Sequence, residues 1–302
     1  MESFVTHAGG KLIEWLGSAT GGAEVLGGKG ASLDLLGRLG FRVPPGFCLT
    51  TAAFRLQLAA TVDRALAETG AADVEAVATG LLSVPLADDV AQPLSTAIDR
   101  LVASVGGAGF EPRFAVRSSA VGEDGSAASY AGLHETELDV TPADIPGAVR
   151  RCWASLWSPA AVAYRHRRDL SAADAAMAVV VQALVPAAAS AVVFTRHPVT
   201  GRDDQLVLTA VRGLGDAMVS GTVTPDTYVI DRATRTVDSF EQGEDPGGPA
   251  LPPDVLAELV ELSCAVEAKF GRAVDIEAAF AGGSWFLLQA RPITTGAEAV
   301  RA

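Results

Sequence analysis

Asp275, Glu277, Gln289 and Arg291 stand in two pairs near the end of the chain, each pair spaced by two residues. In a strand, residues two apart project to the same face, so Asp275 goes with Glu277 and Gln289 with Arg291. Carboxylate and amide oxygens are hard donors that suit Mg2+, and a guanidinium suits a phosphate. An exposed hairpin face stitched by a salt bridge would use the same residues. A second group, Gly27-Gly28-Lys29-Gly30, lies immediately before a stretch with helical spacing. Glycines let a backbone approach a phosphate closely, the following helix start offers free N–H groups, and Lys29 adds a point charge. A plain turn reads the same way, and the spacing is not that of a Walker A loop. A third group runs from Arg117-Ser118-Ser119-Ala120 through Glu123 and Asp124 to Ser129–Thr136. An Arg at a strand end followed by hydroxyls and glycines can hold a polyphosphate, and a solvated surface loop has the same composition.

These groups need elements to position them. Ser32, Leu35, Leu36 and Leu39 form one helical face after Gly30, closed by Gly40. Residues 10–27 before it read as short strands and turns. Val43-Pro44-Pro45-Gly46 turns into a short strand, 47–50. From Thr51 to about Ala103 the spacing is helical, with breaks near Gly80 and Pro85. Phe114-Ala115-Val116 reads as a strand feeding the Arg117 loop. Helices follow over Ile145–Trp157 and from Ser158-Pro159, an N-cap and first-turn proline, to about Arg168. The apolar runs 177–184, 190–195 and 205–210 read as strands buried on both faces, with another at 227–231. Glu241–Pro253 reads as an exposed loop, Asp254–Phe270 as an amphipathic helix ended by Gly271, and 274–280 and 285–290 as the last two strands.

The 302 residues carry a net charge of −13, so a basic footprint for nucleic acid is absent. No apolar run reaches the ~20 residues a membrane-spanning helix needs. The first residues lack a basic start and an apolar core, which predicts no signal peptide. Cys48, Cys152 and Cys264 are far apart and fit no metal-ligand spacing, which predicts buried thiols in a reducing, cytoplasmic setting. His7, His134, His166 and His197 are likewise scattered.

GGKGASL with VPPGF, AVRSSAVGED with SYAGLHET, VFTRHPVTG, GLGDAMVSG with TPD, and DIE with LLQARPIT occur in that order. Together they resemble the nucleotide-binding domain shared by phosphoenolpyruvate synthase, pyruvate phosphate dikinase and rifampin phosphotransferase, from about Lys11 to Thr295. The resemblance implies an α/β (α+β) fold, two-lobed and ATP-grasp-like, with ATP held between the lobes and Mg2+ at its phosphates. The lobes would be 1–185 and 186–295, with 296–302 as a tail. Lys29, Arg117 and Arg291 would contact phosphates, and Gly132 and Thr136 would line the nucleotide site. Gln182 would sit near the adenine or ribose at the hinge between lobes. Glu277 and Gln289 would bind the metal, with Asp275 supporting them. Three departures bear on efficiency: Ser190-Ala191 where the family has Gly after the Ser, Asp216 where Glu is usual, and His134 where Gln is usual.

The family's carrier histidine, which takes the β-phosphate, lies in a Ser/Thr-His-Ala context that none of the four histidines shares. The resemblance therefore implies an ATP-binding, phosphoryl-donating component of a dikinase-type phosphotransferase, served by a separate phosphohistidine or acceptor-domain protein. A self-sufficient ATP-dependent kinase or ligase and a non-catalytic nucleotide-binding module are the alternatives. The metal assignment also needs Glu277 opposite Gln289, and Asp275 opposite Arg291. That register predicts a loop with an odd number of residues centred on Gly283. The local turn signal favours a two-residue Gly282-Gly283 turn, which without a compensating bulge would set Glu277 against Leu288 and throw Gln289 to the other face.

Overall fold

The computed structural model describes residues 10–69, 74–106, 111–122, 124–125, 128–129, 136–167 and 175–293. Gly132 and His134 lie outside them. The chain divides into two compact units, one of Met1–Asp34 with Pro45–Leu184 and one of Leu35–Pro44 with Val185–Ala302. Both are mixed α/β, and each is built on one main antiparallel sheet.

The first unit runs β1 (Ile13–Trp15), α1 (Ala23–Arg38, its last residues in the second unit), β2 (Gly46–Leu49), α2 (Thr51–Thr69), α3 (Val74–Ser83), α4 (Asp88–Val105) and β3 (Phe114–Ala120). A short β4 (Asp124–Gly125) and β5 (Ala128–Ser129) lead to β6 (Thr136–Val140), α5 (Ile145–Ser155), α6 (Pro159–Arg167) and β7 (Met177–Ala183). The sheet order is β1-β2-β7-β3-β6. Alternation divides its residues cleanly. Phe47, Leu49, Phe114, Val116, Val179 and Val181 join Phe54 of α2, Leu81 of α3, Leu94 of α4 and Trp153 of α5 in one core. The indole of Trp153 donates to the Met177 carbonyl at 3.2 Å, satisfying its one polar atom inside that core. Ser158 caps α6 by accepting the Ala161 N–H at 3.2 Å. Gly80, read as a break, lies inside α3, whereas the break expected near Pro85 is present between α3 and α4.

The second unit runs β8 (Ala189–Phe194), β9 (Gln205–Arg212), α7 (Asp216–Val219), β10 (Asp226–Asp231), β11 (Val237–Glu241), α8 (Pro253–Phe270), β12 (Val274–Ala281) and β13 (Ser284–Pro292). The sheet order is β11-β10-β9-β8-β12-β13. Ala191, Val193, Leu206, Leu208, Tyr228, Ile276 and Leu287 pack with Leu256, Leu259 and Val260 of α8. Gly271 ends α8 in the left-handed conformation, with its N–H on the Glu267 carbonyl. Leu36 is fully buried in this second core, and Phe41 and Val43 pack against it. Leu35–Pro44 thus belongs with the second unit, and a linear partition that puts all of 1–185 in the first lobe misses this excursion. The strand β11 also escapes sequence reading. All five of its residues are exposed, so it carries no buried alternation, and Phe240 stacks on Tyr228 with ring centroids 4.8 Å apart.

Candidate nucleotide and metal site

The first sheet has a second face, opposite its helical core, where Cys48, Arg117, Ser119, Val180 and Gln182 project. Helix α1 lies over it: a side chain added at Gly30 would meet Cys48 Sγ at 3.2 Å and Val180 Cγ2 at 3.5 Å. Covered on both faces, β7 is almost entirely buried, as its unbroken apolar run predicts. Arg117 is paired with Val180 on one side and Thr136 on the other, so Arg117 and Thr136 stand side by side. Gln182 pairs with Ala115 and Gly46 near the end of the same face and is 2 % exposed.

The backbone on either side of Lys29 packs on this face by a device the spacing did not reveal. The helix does not begin after Gly30. It begins at Ala23 and is broken at Gly27, whose φ of 68° and ψ of 177° are far from helical. The Gly27–Gly30 stretch is therefore an interruption inside α1, and the segment after it opens with a fresh helix start at Gly28-Lys29. Gly27 sits so close to β3 that a Cβ there would fall 1.9 Å from the Ser119 carbonyl oxygen. The Ser119 hydroxyl bridges the break: it accepts the Gly30 N–H at 2.9 Å and donates to the Leu26 carbonyl at 2.7 Å. Cys48 Sγ lies 3.5 Å from that same carbonyl. Burial pushes the Cys48 thiol well above its ordinary range, with Glu14 and Asp34 adding to the shift, so it is a packed thiol and not a nucleophile.

In the second unit, Asp275, Glu277, Gln289 and Arg291 occupy one face of the terminal hairpin. Glu277 opposes Gln289 and Asp275 opposes Arg291, the register that the metal assignment needs. The expected odd-numbered loop is absent. The turn is the two-residue Gly282-Gly283, with both φ positive at 57° and 74°, as a type I′ turn requires. The register is restored by a bulge. Pairing runs regularly from Ala281↔Ser284 to Ala278↔Leu287, then jumps to Glu277↔Gln289, leaving Leu288 as the extra residue. The reason is packing. Trp285 and Leu287 must face the α8 core near the turn, while Gln289 and Arg291, of the same parity, must face away from it. A strict period of two cannot do both, and the bulge switches the parity between them.

That face is not an exposed one. Asp275 is 8 % and Gln289 5 % exposed, and Glu277 is half-buried between Val192 and Gln289. A salt bridge is present: Arg291 Nε and Nη2 both lie 2.8 Å from Asp275 Oδ2, which fixes the guanidinium beside Gln289. Among the described residues no cluster of three or more His, Cys, Asp or Glu is arranged to hold a metal. Glu277 and Gln289 offer two opposed hard-oxygen donors. That fits Mg2+, which keeps several waters and takes its remaining ligands from substrate phosphates. It does not fit a zinc centre.

Several other motif residues have structural work. The Asp226 carboxylate, buried, accepts the N–H groups of Gly243 at 2.8 Å and Ala250 at 2.6 Å, so the TPD element anchors the loop after β11. His197 Nδ1 accepts the N–H groups of Val199 and Thr200, both at 3.3 Å, holding the RHPVTG turn. The Ala191 methyl points into the α8 core, on the side of the sheet away from Glu277, so it does not narrow the polar face. Ser190 donates to the Gly213 carbonyl at 2.7 Å, fixing the Gly213-Leu214-Gly215 turn before α7, whose first residue is Asp216. Ser119 and Leu288 are the two positions that sequence reading missed.

Residues 23–247 match the family described as "Pyruvate phosphate dikinase, AMP/ATP-binding domain". A rifampicin phosphotransferase of Streptomyces sviceus is 39 % identical over 90 % of this chain, which covers 34 % of that protein. A probable phosphoenolpyruvate synthase of Methanocaldococcus jannaschii is 32 % identical over 94 % of this chain, covering 27 % of that protein. The chain thus spans about a third of the length of these relatives. Among solved structures, D-alanine-D-alanine ligase from Helicobacter pylori aligns with 66 % of this chain and 46 % of its own at 9 % identity and a TM-score of 0.30, a likeness too slight to carry weight. Among the described residues no helix is long and apolar enough to cross a membrane.

Proposed function

The chain belongs to the family of pyruvate phosphate dikinase AMP/ATP-binding domains, and from that premise we propose that it binds Mg·ATP and donates phosphate to a histidine carried by a separate domain or protein. Lys29 and Arg117 hold phosphate oxygens, and Gln182 and Thr136 take the nucleoside side. Glu277 and Gln289 hold Mg2+, with Arg291, oriented by Asp275, on a phosphate. The ion, when bound, neutralises phosphate charge and so eases transfer. The protein's own part is to place cationic and amide groups before substrate arrives, so that no reorganisation is needed at the moment of reaction. Gly132 belongs to the same proposed set, outside the described residues.

The observation that best supports this reading is the hairpin bulge. The fold departs from regular pairing at Leu288, and the outcome is that Glu277 and Gln289 share a face with the Asp275–Arg291 pair. None of the four histidines has the sequence context of a phosphate carrier, and the described one in the TRHP element is engaged in a turn. The acceptor is therefore sought outside residues 1–302. The test is AMP formation from Mg·ATP, measured for the pure chain and after adding a separately expressed phosphohistidine domain of a dikinase-type phosphotransferase. The expected result, only with the domain present, is AMP, an acid-labile histidine phosphate formed from the β-phosphate, and one inorganic phosphate released as the γ-phosphate passes to water. Robust AMP or phosphoenolpyruvate formation by the pure chain would favour a self-sufficient kinase. Saturable ATP binding without transfer to the added domain would favour a nucleotide-binding module.

A further inference from the structure

We propose that Ser119 is a positioning residue for the phosphate grip, acting through the α1 interruption on Lys29; the inference rests on the ATP-binding reading above. In a continuous helix the Gly30 N–H would bond directly to the Leu26 carbonyl, four residues earlier. Here the Ser119 hydroxyl stands in that place, accepting from Gly30 and donating to Leu26. A side chain inserted into the helical ladder holds it open and kinks it, and the kink sits at Gly27. Ser119 is itself fully buried, so water is not at hand to take over either bond. It is 89 residues away in sequence from Gly30 and two residues from Arg117, on the same face of β3. One hydroxyl therefore fixes the loop that carries Lys29 to the strand that carries Arg117.

This arrangement has a consequence that ordinary core packing does not. Without the hydroxyl, Gly30 and Leu26 can satisfy each other by closing the helix. Stability then falls little, while the backbone at Gly27–Lys29 moves and the grip on phosphate is lost. Two measurements separate this from a merely structural role. Calorimetric titration of Ser119→Ala with Mg·ATP should show affinity about tenfold weaker than wild type, equivalent to about 1.4 kcal/mol, while adenosine binding stays unchanged. In a double-mutant cycle, Ser119→Ala should cost nothing further once Lys29 is Ala. If Ser119→Ala does not fold, Ser119→Cys, which keeps a weak donor with longer contacts, goes through the same cycle, and the same outcomes decide. Additive losses in the cycle, or equal losses for ATP and adenosine, would overturn the Ser119 proposal alone. Wild-type protein without saturable ATP binding would overturn the ATP reading and the inference with it; Lys29→Ala binding like wild type would overturn the Lys29 grip and this inference while ATP binding itself stands.

Discussion

The two polar faces are positioned by opposite strategies. On the first, Lys29, Arg117, Thr136 and Gln182 come from four separate elements, and the key contact joins residues 89 positions apart through a break in a helix. On the second, Asp275, Glu277, Gln289 and Arg291 lie on one hairpin, and a single bulge sets them. A hairpin is local: its turn and bulge choose the face, and errors are all or none because a one-residue slip inverts every side chain. The first face is assembled by tertiary contact, so its errors are graded. Arg117 stands on the first face, while the second combines the oxygen donors Glu277 and Gln289 with the cation Arg291, which Asp275 orients.

The comparison predicts a graded order of damage. Gly27→Val should do most. Its Cβ would overlap the Ser119 carbonyl and its φ is positive, a conformation that costs a β-branched residue at least 1–2 kcal/mol before the overlap is counted. Thermal denaturation should show the first unit destabilised, and Mg·ATP binding should be undetectable. Next, Glu277→Ala should weaken binding about tenfold or more with Mg2+ present, since a group bonded to a charge contributes ~1.5–3 kcal/mol. In EDTA, Glu277→Ala and wild type should bind equally weakly. An equal loss in EDTA would mean that Glu277 acts without metal. Gly282→Ala should then cost roughly 1 kcal/mol of stability by straining the type I′ turn, without changing affinity per folded molecule. The smallest effect is on labelling. Native protein should react with a thiol reagent at half-buried Cys264 first, while Cys48 and Cys152 stay protected. Faster Cys48 labelling in Ser119→Ala than in wild type would report movement of α1 over the first face.

The same contrast governs what was legible. The hairpin could be argued from residue parity alone, and both competing expectations were half right: the tight glycine turn formed, and so did the register it seemed to forbid. The clue was present in Trp285-Phe286-Leu287-Leu288-Gln289-Ala290-Arg291, where apolar and polar residues of the same parity follow one another across Leu288. Alternation broken that way signals a bulge. Helices α2 to α6 were likewise readable from their spacing, and strands β7 to β9 from their unbroken apolar runs. The α1 break was not. Leu26 and Ser32–Leu39 keep helical spacing across three glycines, and nothing local distinguishes Ser118 from Ser119 as the side chain that enters the ladder. Strand β11 and the excursion of Leu35–Pro44 into the second unit were hidden for a related reason, since each is decided by what it packs against and not by its own pattern.

The central proposal is that the chain binds Mg·ATP, with Lys29 on phosphate and Glu277 on the metal, and isothermal titration of the wild-type chain beside Lys29→Ala and Glu277→Ala tests it most directly. The account predicts one saturable wild-type site, weakened about tenfold or more by either substitution, with thermal stability unchanged and only the Glu277 effect abolished by EDTA. A wild-type chain with no saturable binding up to millimolar Mg·ATP, or folded variants that both bind as tightly as wild type, would contradict it.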